Sequence, residues 1–392
     1  FVFSKEIPSY IDAFFETISG FTTTGATILT DVEALSRGVL FWRGFTHWIG
    51  GMGILVFVVM LVNTPDRSIN ILKAEMPGPT VDKLVPKSKD TARTLYIIYT
   101  ALTALEVIFL LLGGMSLFDS VVHALSTAGT GGFGAYNASA ANFSPYIQWV
   151  LTVFMFLFAI NFNLFYLILL GRMRDVFRNT EFRVYLSIVL VSVAVITAEI
   201  MPLYRTFSDS LRQAAFQVAS VISTTGFITA DFTVWTPLSK VLLLGLMFVG
   251  GCAGSTAGGL KVSRVAILFK MMRRELRHTL RPRVVDVIKM DGRRLDEQTA
   301  HSVAVYFALY ILSIAVLIVS LSFSRFDLET NLFAAISCFN NVGPGFGMAG
   351  PVGNYSPYPP LFKLFLSAGM LLGRLEIFPI LVLFSRQAWR HT

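Results

Sequence analysis

The chain has 392 residues, 54% of them hydrophobic and only 14% charged, with 35 phenylalanines. A soluble chain of this length carries about 25% charged residues, so a water-soluble globular protein is excluded. The formal net charge of +8 comes from basic residues gathered in the connections between apolar runs, which makes it a sign of membrane topology and not of nucleic-acid binding.

From the amino end, a short aromatic stretch at Phe14 and Phe15 leads into "SGFTTTGAT" (19–27), then polar residues, then an apolar run over roughly 39–62. Further apolar runs follow at roughly 95–113, 146–170, 184–203, 235–260, 303–323 and 361–384. Each is long enough to cross about 30 Å of hydrocarbon as a helix. Core helices of a large soluble protein would need a polar face at helical spacing, and "IFLLLGG" and "LLLGLMFVGG" have none. The expected fold is an all-α polytopic membrane protein. Residues 1–20 carry acids and aromatics instead of a basic start and an apolar stretch, so no cleavable signal peptide is expected.

The connections alternate in charge. Arg67, Lys73, Lys83, Lys87, Lys89 and Arg93 lie in 64–94; Arg172, Arg174, Arg178 and Arg183 lie in 172–183; residues 261–299 are the most basic of all, and Arg386 and Arg390 sit in the tail. The connections 113–120 and 136–148 are almost free of basic residues. By the positive-inside rule the basic connections and the C-terminus are expected on the cytoplasmic side.

Four stretches share one pattern. Aligning Ser19, Ser126, Ser220 and Ser337 places Gly25, Gly132, Gly226 and Gly343 six residues later, with "SGFTTTG", "STAGTGG", "SVISTTG" and "SCFNNVG" between them. Four residues upstream of each serine stands an apolar residue: Phe15, Val122, Phe216 and Phe333. The copies are 107, 94 and 117 residues apart, and each precedes a polar loop and an apolar run. Four copies of span, half-helix, small-residue loop and span predict a central pore with pseudo-fourfold symmetry. Non-helical backbone at membrane depth is tolerated only inside protein or lining water. The expected filter residues are Thr23, Thr24 and Gly25; Thr130, Gly131 and Gly132; Thr224, Thr225 and Gly226; and Asn341, Val342 and Gly343. Backbone carbonyls of Thr23, Thr24, Thr130, Gly131, Thr224, Thr225, Asn341 and Val342 are the expected ligands of a monovalent cation, replacing its hydration shell. The glycines reach backbone angles closed to other residues, and the half-helices turn the negative ends of their dipoles toward the pore.

The domain boundaries follow. Repeat 1 covers 1–63, a cytoplasmic linker 64–94, repeat 2 95–171, a linker 172–183, repeat 3 184–260 with a broken second span, a basic linker 261–299, repeat 4 300–385 and a cytoplasmic tail 386–392. In repeat 1 the chain starts almost at the half-helix, so that repeat lacks its first span here.

The stretches "FFETISGFTTTGAT", "FWRGFTHWIGGMGILV", "ALSTAGTGGFG", "VISTTGF", "GGCAGSTAGGLK", "ISCFNNVGPGFG" and "MLLGRLEIFPILVLF" resemble the pore-forming subunits of the Trk/Ktr/HKT superfamily of potassium transport proteins, most closely the bacterial TrkH type. The resemblance runs over essentially the whole chain. It implies potassium as the transported ion, a bacterial cytoplasmic (inner) membrane location and a homodimer. It also implies a cytoplasmic ring of TrkA/KtrA-like regulatory subunits that binds the nucleotide (NAD or ATP/ADP), with no cofactor bound by this chain. Members of the family have a span before the first pore helix and usually an extra N-terminal helical pair, so this chain is expected to be a fragment. Plant members with a serine at the first loop's glycine position transport sodium; here that position is Gly25, which by resemblance points to potassium.

Two intramembrane features bear on gating. Residues 250–259 hold Gly250, Gly251, Gly254, Ser255, Thr256, Gly258 and Gly259. Small-residue helix packing is one reading; the other is a broken helix lining a cavity below the filter, to which the resemblance assigns a gating role. Arg374, within an apolar run, is expected to face the pore as a barrier to cations, since charges at such depth face the interior or water. Neighbouring Glu376 is two residues away and so on another face, and Glu106 reads either as the partner of Arg374 or as a satisfied buried acid.

The basic segment 261–299 reads either as a loop enriched in Lys and Arg by topology alone, touching anionic lipid, or as the docking surface for the regulator. Other motifs carry no chemistry. "GTGGFG" (129–134) follows no strand, and "GSTAGGLK" lacks Walker spacing. Cys252 and Cys338 form no disulfide framework, and His47, His123, His278, His301 and His391 are dispersed without metal-ligand spacing. No serine pairs convincingly with a base, so an enzyme is not expected. A potassium pore ranks first and a secondary cation symporter second, because broken helices also build transporter sites.

Overall fold

The structure is a computed structural model that describes residues 1–53, 88–283, 286–351 and 353–383. The end of the first expected span and the basic positions Arg67, Lys73, Lys83, Lys87, Arg386 and Arg390 lie outside these residues.

Four short helices precede the four small-residue loops: α1 (Tyr10–Phe21), α4 (Leu117–Gly129), α9 (Phe207–Ile222) and α13 (Leu328–Phe339). Each starts the same way. Ser9, Ser116, Thr206 and Asp327 accept a hydrogen bond through the side chain from the backbone N–H three residues on, at Asp12, Asp119, Asp209 and Thr330. An acid in each first turn (Asp12, Asp119, Asp209, Glu329) complements the positive end of the helix dipole. With 12 to 16 residues they are about 18–24 Å long at 1.5 Å per residue, too short to cross the bilayer.

Among the described residues, three helices are long and apolar enough to span alone: α3 (Ser88–Leu112), α8 (Thr180–Ile200, whose apolar helical stretch continues to Leu203) and α12 (Glu297–Ser322). All three begin ahead of the apolar runs read at 95–113, 184–203 and 303–323. Their first turns are polar, so hydropathy misses them although the backbone is already helical.

The helix after each loop behaves differently. These are α2 (Arg37–Met52), α5 (Pro145–Phe158), α10 (Pro237–Val249) and α14 (Pro360–Arg374). The run at 146–170 is not one straight span, because α6 (Phe162–Leu169) leaves α5 at 93°. A break was expected only in repeat 3, where α10 stops at Val249 and α11 (Val262–Leu280) resumes beyond the glycine-rich loop. In repeat 4, α14 gives way to α15 (Ile377–Leu383) through Glu376, whose φ is 64°. The bend in repeat 2 has a physical cause that lies elsewhere in the chain. The carbonyl of Ala159 accepts from the Cys252 amide at 2.9 Å, and the Phe162 amide donates to the Gly254 carbonyl at 3.0 Å. The glycine-rich loop thus replaces hydrogen bonds that a continuous helix would make, as backbone at membrane depth requires.

The packing closes a ring. Helix α1 packs against α2 and α14, α4 against α2 and α5, α9 against α5 and α10, and α13 against α10 and α14. Each half-helix is wedged between the second helices of its own repeat and the preceding one. Lys363 on α14 pairs with Asp12 on α1 at 2.5 Å across the seam between repeats 4 and 1. On the basic side, the short helix α7 (Met173–Arg178) leads into α8. A two-stranded antiparallel hairpin, β1 (Lys289–Met290) with β2 (Arg293–Arg294), departs from the all-helical expectation.

Candidate functional site

The four small-residue loops share one backbone. Thr23, Thr130, Thr224 and Asn341 have φ of 53°, 55°, 56° and 56°, and Gly25, Gly132, Gly226 and Gly343 follow at 77°, 78°, 81° and 96°. A side chain two residues before each glycine therefore sits in the left-handed region, a costly conformation kept only where the surroundings over-determine it. The bond that enforces it recurs. The amides of Thr24, Gly131, Thr225 and Val342 donate to the carbonyls of Ser19, Ser126, Ser220 and Ser337 at 2.9, 2.9, 2.8 and 3.0 Å. The serines that align the sequence repeats thus lie in the last turn of each half-helix, and their carbonyls hold the loop as it turns back.

The loops touch one another in cyclic order. A Cβ on Gly25 would lie 1.9 Å from the Gly131 oxygen, on Gly132 2.0 Å from the Thr225 oxygen, on Gly226 2.1 Å from the Val342 oxygen, and on Gly343 2.5 Å from the Thr24 oxygen. Loop 1 meets loop 2, loop 2 meets loop 3, loop 3 meets loop 4, and loop 4 returns to loop 1. Hydrogen, and no larger group, fits at those four positions. All four glycines line one cavity of about 110 Å³ on the side of Asn137 and Tyr136. The three threonines of loop 1, the threonines of loops 2 and 3, and Asn341 are buried. Hydroxyl pairs brace the loops from behind: Thr22 with Thr24 at 2.8 Å and Ser223 with Thr225 at 2.7 Å. In loop 4 the Asn341 side chain donates to Thr24 Oγ1 at 3.0 Å, so loops 4 and 1 are joined directly.

The glycine-rich loop lies against the opposite side of this ring. Its Thr256 carbonyl accepts from Thr130 Oγ1 at 2.9 Å, and its Gly258 amide donates to Thr224 Oγ1 at 2.7 Å. A Cβ on Gly258 would fall 2.4 Å from the Asn340 oxygen. Gly250, Gly254 and Gly259 all have positive φ, at 67°, 70° and 77°. Arg374 reaches the same place. It donates to the Thr256 carbonyl at 2.7 Å and to the Gly50 and Gly51 carbonyls at 2.6 and 2.9 Å. Glu376 turns away to pair with Arg264 at 2.6 Å, and that guanidinium also lies 3.9 Å above the Tyr306 ring. Glu106 is buried on α3. Gly50, Gly258, Gly259, Lys261 and Arg374 share a second cavity of about 220 Å³ with Thr22 at its edge.

Several residues of this region were missed by sequence reasoning. Buried Glu16 and Arg43 form an ion pair at 2.8 Å. Glu16 also accepts from Thr27 Oγ1 at 2.9 Å and from the Ile28 amide at 3.1 Å, which pins the segment leaving loop 1. Arg43 covers the Phe133 ring at 3.9 Å, and His47 stacks on the same ring at 4.2 Å. Lone charges inside "FFETISG" and "FWRGF" were the available signal, since a charge in an apolar segment needs a partner. Glu181, which holds the glycine-rich loop, had no such signal because it lies in the polar first turn of α8.

A family model described as a cation transport protein, TrkH, matches residues 2–390. The chain belongs to the TrkH family. It is 38% identical over 398 residues to the Trk system potassium uptake protein TrkH of Salmonella typhimurium, covering 100% of this chain and 82% of that protein. It is also 34% identical to the Trk system potassium uptake protein TrkG of Escherichia coli, over 97% of this chain and 79% of that one. The crystal structure of the potassium transporter TrkH from Vibrio parahaemolyticus superposes with a TM-score of 0.87 at 34% identity, covering 97% of this chain and 80% of that chain. The family is one of cation transporters and not of enzymes.

Proposed function

We propose that this chain carries potassium across the bacterial cytoplasmic membrane through the ring of four loops, with residues 250–259 as the gate. The closed cyclic contact of Gly25, Gly132, Gly226 and Gly343 with the carbonyls of the neighbouring loops carries the reading. In this reading the carbonyls of Thr23, Thr24, Thr130, Gly131, Thr224, Thr225, Asn341 and Val342 take the place of the ion's water. The four half-helix C-termini add negative potential at the ring. The relatives named as potassium uptake proteins support potassium as the ion.

The contacts of Thr256 and Gly258 with loops 2 and 3 support the gate. In the closed state the loop blocks the path below the ring, and Arg374 adds a fixed positive charge beside it. A cytoplasmic nucleotide-binding regulator acting through the basic segment after Lys261 moves the loop, and two copies of the chain form the homodimer. Purified protein in liposomes tests this reading. Rapid downhill potassium flux that exceeds sodium flux is the expected result, and equal permeability to the two ions overturns the selectivity. A secondary symporter is favoured by one observation, the interruption of the second helix in repeats 2, 3 and 4. Saturable uptake driven by a proton or sodium gradient would establish it.

A further inference from the structure

We propose that Glu181 is the positioning residue of the loop at 250–259, and that the hairpin turn at Asp291 holds Glu181 in place; this rests on the reading of that loop as the gate. The contacts of the loop lie at its tip and its edge, with Thr256 Oγ1 also donating to the Phe158 carbonyl at the end of α5 at 3.1 Å. Its tip, Thr256 and Gly258, touches the filter loops and Arg374. Its edge, Cys252 to Gly254, is fixed to the bend between α5 and α6 and to Glu181.

Beside these backbone bonds, one carboxylate oxygen supplies the side-chain hold on the loop edge. Glu181 Oε1 accepts from the Ala253 amide at 2.7 Å and from the Ser263 amide at 3.0 Å. Ala253 lies in the loop and Ser263 in the first turn of α11, so one atom joins the loop edge to α11, beside the backbone bonds from Leu260, Lys261 and Val262 to Phe248, Val249 and Gly251 that close the base of the break. The side chain is buried. Removing the acceptor leaves two amides without a partner. A tip that swings while its edge stays fixed needs such an anchor.

The anchor is itself held from the cytoplasmic side. Asp291 stands at the hairpin turn with φ 51°, followed by Gly292 at 77°. Its carboxylate accepts from the Thr180 amide at 2.6 Å and from Asn179 Nδ2 at 3.1 Å, and its own amide donates to Thr180 Oγ1 at 3.2 Å. Thr180 directly precedes Glu181. The hairpin also grips α11, because Lys270 Nζ donates to the Lys289 carbonyl at 2.7 Å. The two helices that Glu181 bridges are therefore clasped by one hairpin, and displacement of that hairpin is transmitted to the loop edge.

Native cysteines report on this. Cys252 is buried beside Ala253, and Cys338 is buried in the core of repeat 4. The full chain in liposomes is treated with a maleimide, labelling of each cysteine is quantified by mass spectrometry, and basal potassium flux is measured alongside. Glu181→Leu should raise Cys252 labelling tenfold or more and flux several-fold with Cys338 unchanged; Glu181→Gln, which keeps an acceptor, should fall between Leu and the parent. Asp291→Ala should raise Cys252 labelling at least threefold. Parental Cys252 labelling in Glu181→Leu, or Cys252 and Cys338 rising together, overturns the anchor. Parental labelling in Asp291→Ala overturns the part played by the hairpin. Deletion of 255–257 separates this from the gate reading. If the deletion leaves flux at the parental level while Glu181→Leu exposes Cys252, the gate fails and the anchor stands. If the deletion raises flux and Glu181→Leu alters neither readout, the anchor fails and the gate stands.

Discussion

At single positions, space and backbone angle decide what is allowed. Gly25 combines a φ of 77° with a neighbouring carbonyl 1.9 Å from where Cβ would stand. Left-handed backbone costs a side chain about 1–2 kcal/mol, and an overpacked atom adds about 1–3 kcal/mol. Gly25→Ala is therefore expected to reduce potassium flux to less than a tenth of the parent while membrane insertion persists, read by liposome flux and by monodispersity of the purified protein. Glu16 and Arg43 obey a different rule, since each neutralises the other in a dry site. Glu16→Ala strands a buried guanidinium and should destabilise by about 3–5 kcal/mol, whereas replacing both with apolar residues of similar volume should recover most of that loss. Thermal unfolding in detergent checks both variants. The glycines were legible from spacing alone. The ion pair was not, because its partners are 27 residues apart and meet only when α1 and α2 pack.

The elements divide into those with local causes and those without. The four half-helices are capped by their own sequence, so their starts follow from a Ser, Thr or Asp that accepts from the backbone amide three residues on. Asp327→Ala should cost about 1 kcal/mol as a lost cap. Hydrogen bonds from Thr330 hold the Asp327 carboxyl below its ordinary range. Its contribution is thus full above the unfolded value of about 3.9 and is lost as pH falls through the lower folded value. The stability gap between parent and variant should narrow below about pH 4, as melting curves at pH 7 and pH 3 will test. The interrupted helices have non-local causes. The apolar runs at 146–170 and 361–384 look continuous, yet the first bends where the glycine-rich loop supplies backbone hydrogen-bond partners, and the second is interrupted beside Arg374 and Glu376, whose side chains bond other segments. The glycine-rich loop is the one break announced by composition. Deleting part of it should raise basal flux without altering ion preference. Arg374→Ala, which releases Thr256, Gly50 and Gly51 together and removes a positive charge, should do the same. Parental flux from both variants would place the gate elsewhere.

Across the whole molecule, the four loops and their half-helices close into a circle. Only at the seam between repeats 4 and 1 must distant ends of the chain meet, and Asp12 with Lys363 stands there at a separation of 351 residues. A double-mutant cycle on this pair, read by thermal unfolding, should give a coupling of about 0.5–3 kcal/mol, as for contacting charged residues. A coupling near zero would mean that the seam is held by the helices α1 and α14 alone.

By itself the sequence determined the apolar helical class, the four recurring small-residue loops and the glycines that meet in the ring, because hydropathy, spacing and the steric demand for glycine are properties of short stretches. Only the tertiary structure decided which carbonyl faces which glycine, that Arg374 binds backbone carbonyls instead of Glu376, and that repeats 2 and 4 break as repeat 3 does. Those outcomes turn on hydrogen-bond partners scores or hundreds of residues away. At membrane depth a polar group goes to whichever partner the fold delivers, and proximity along the chain does not predict that partner.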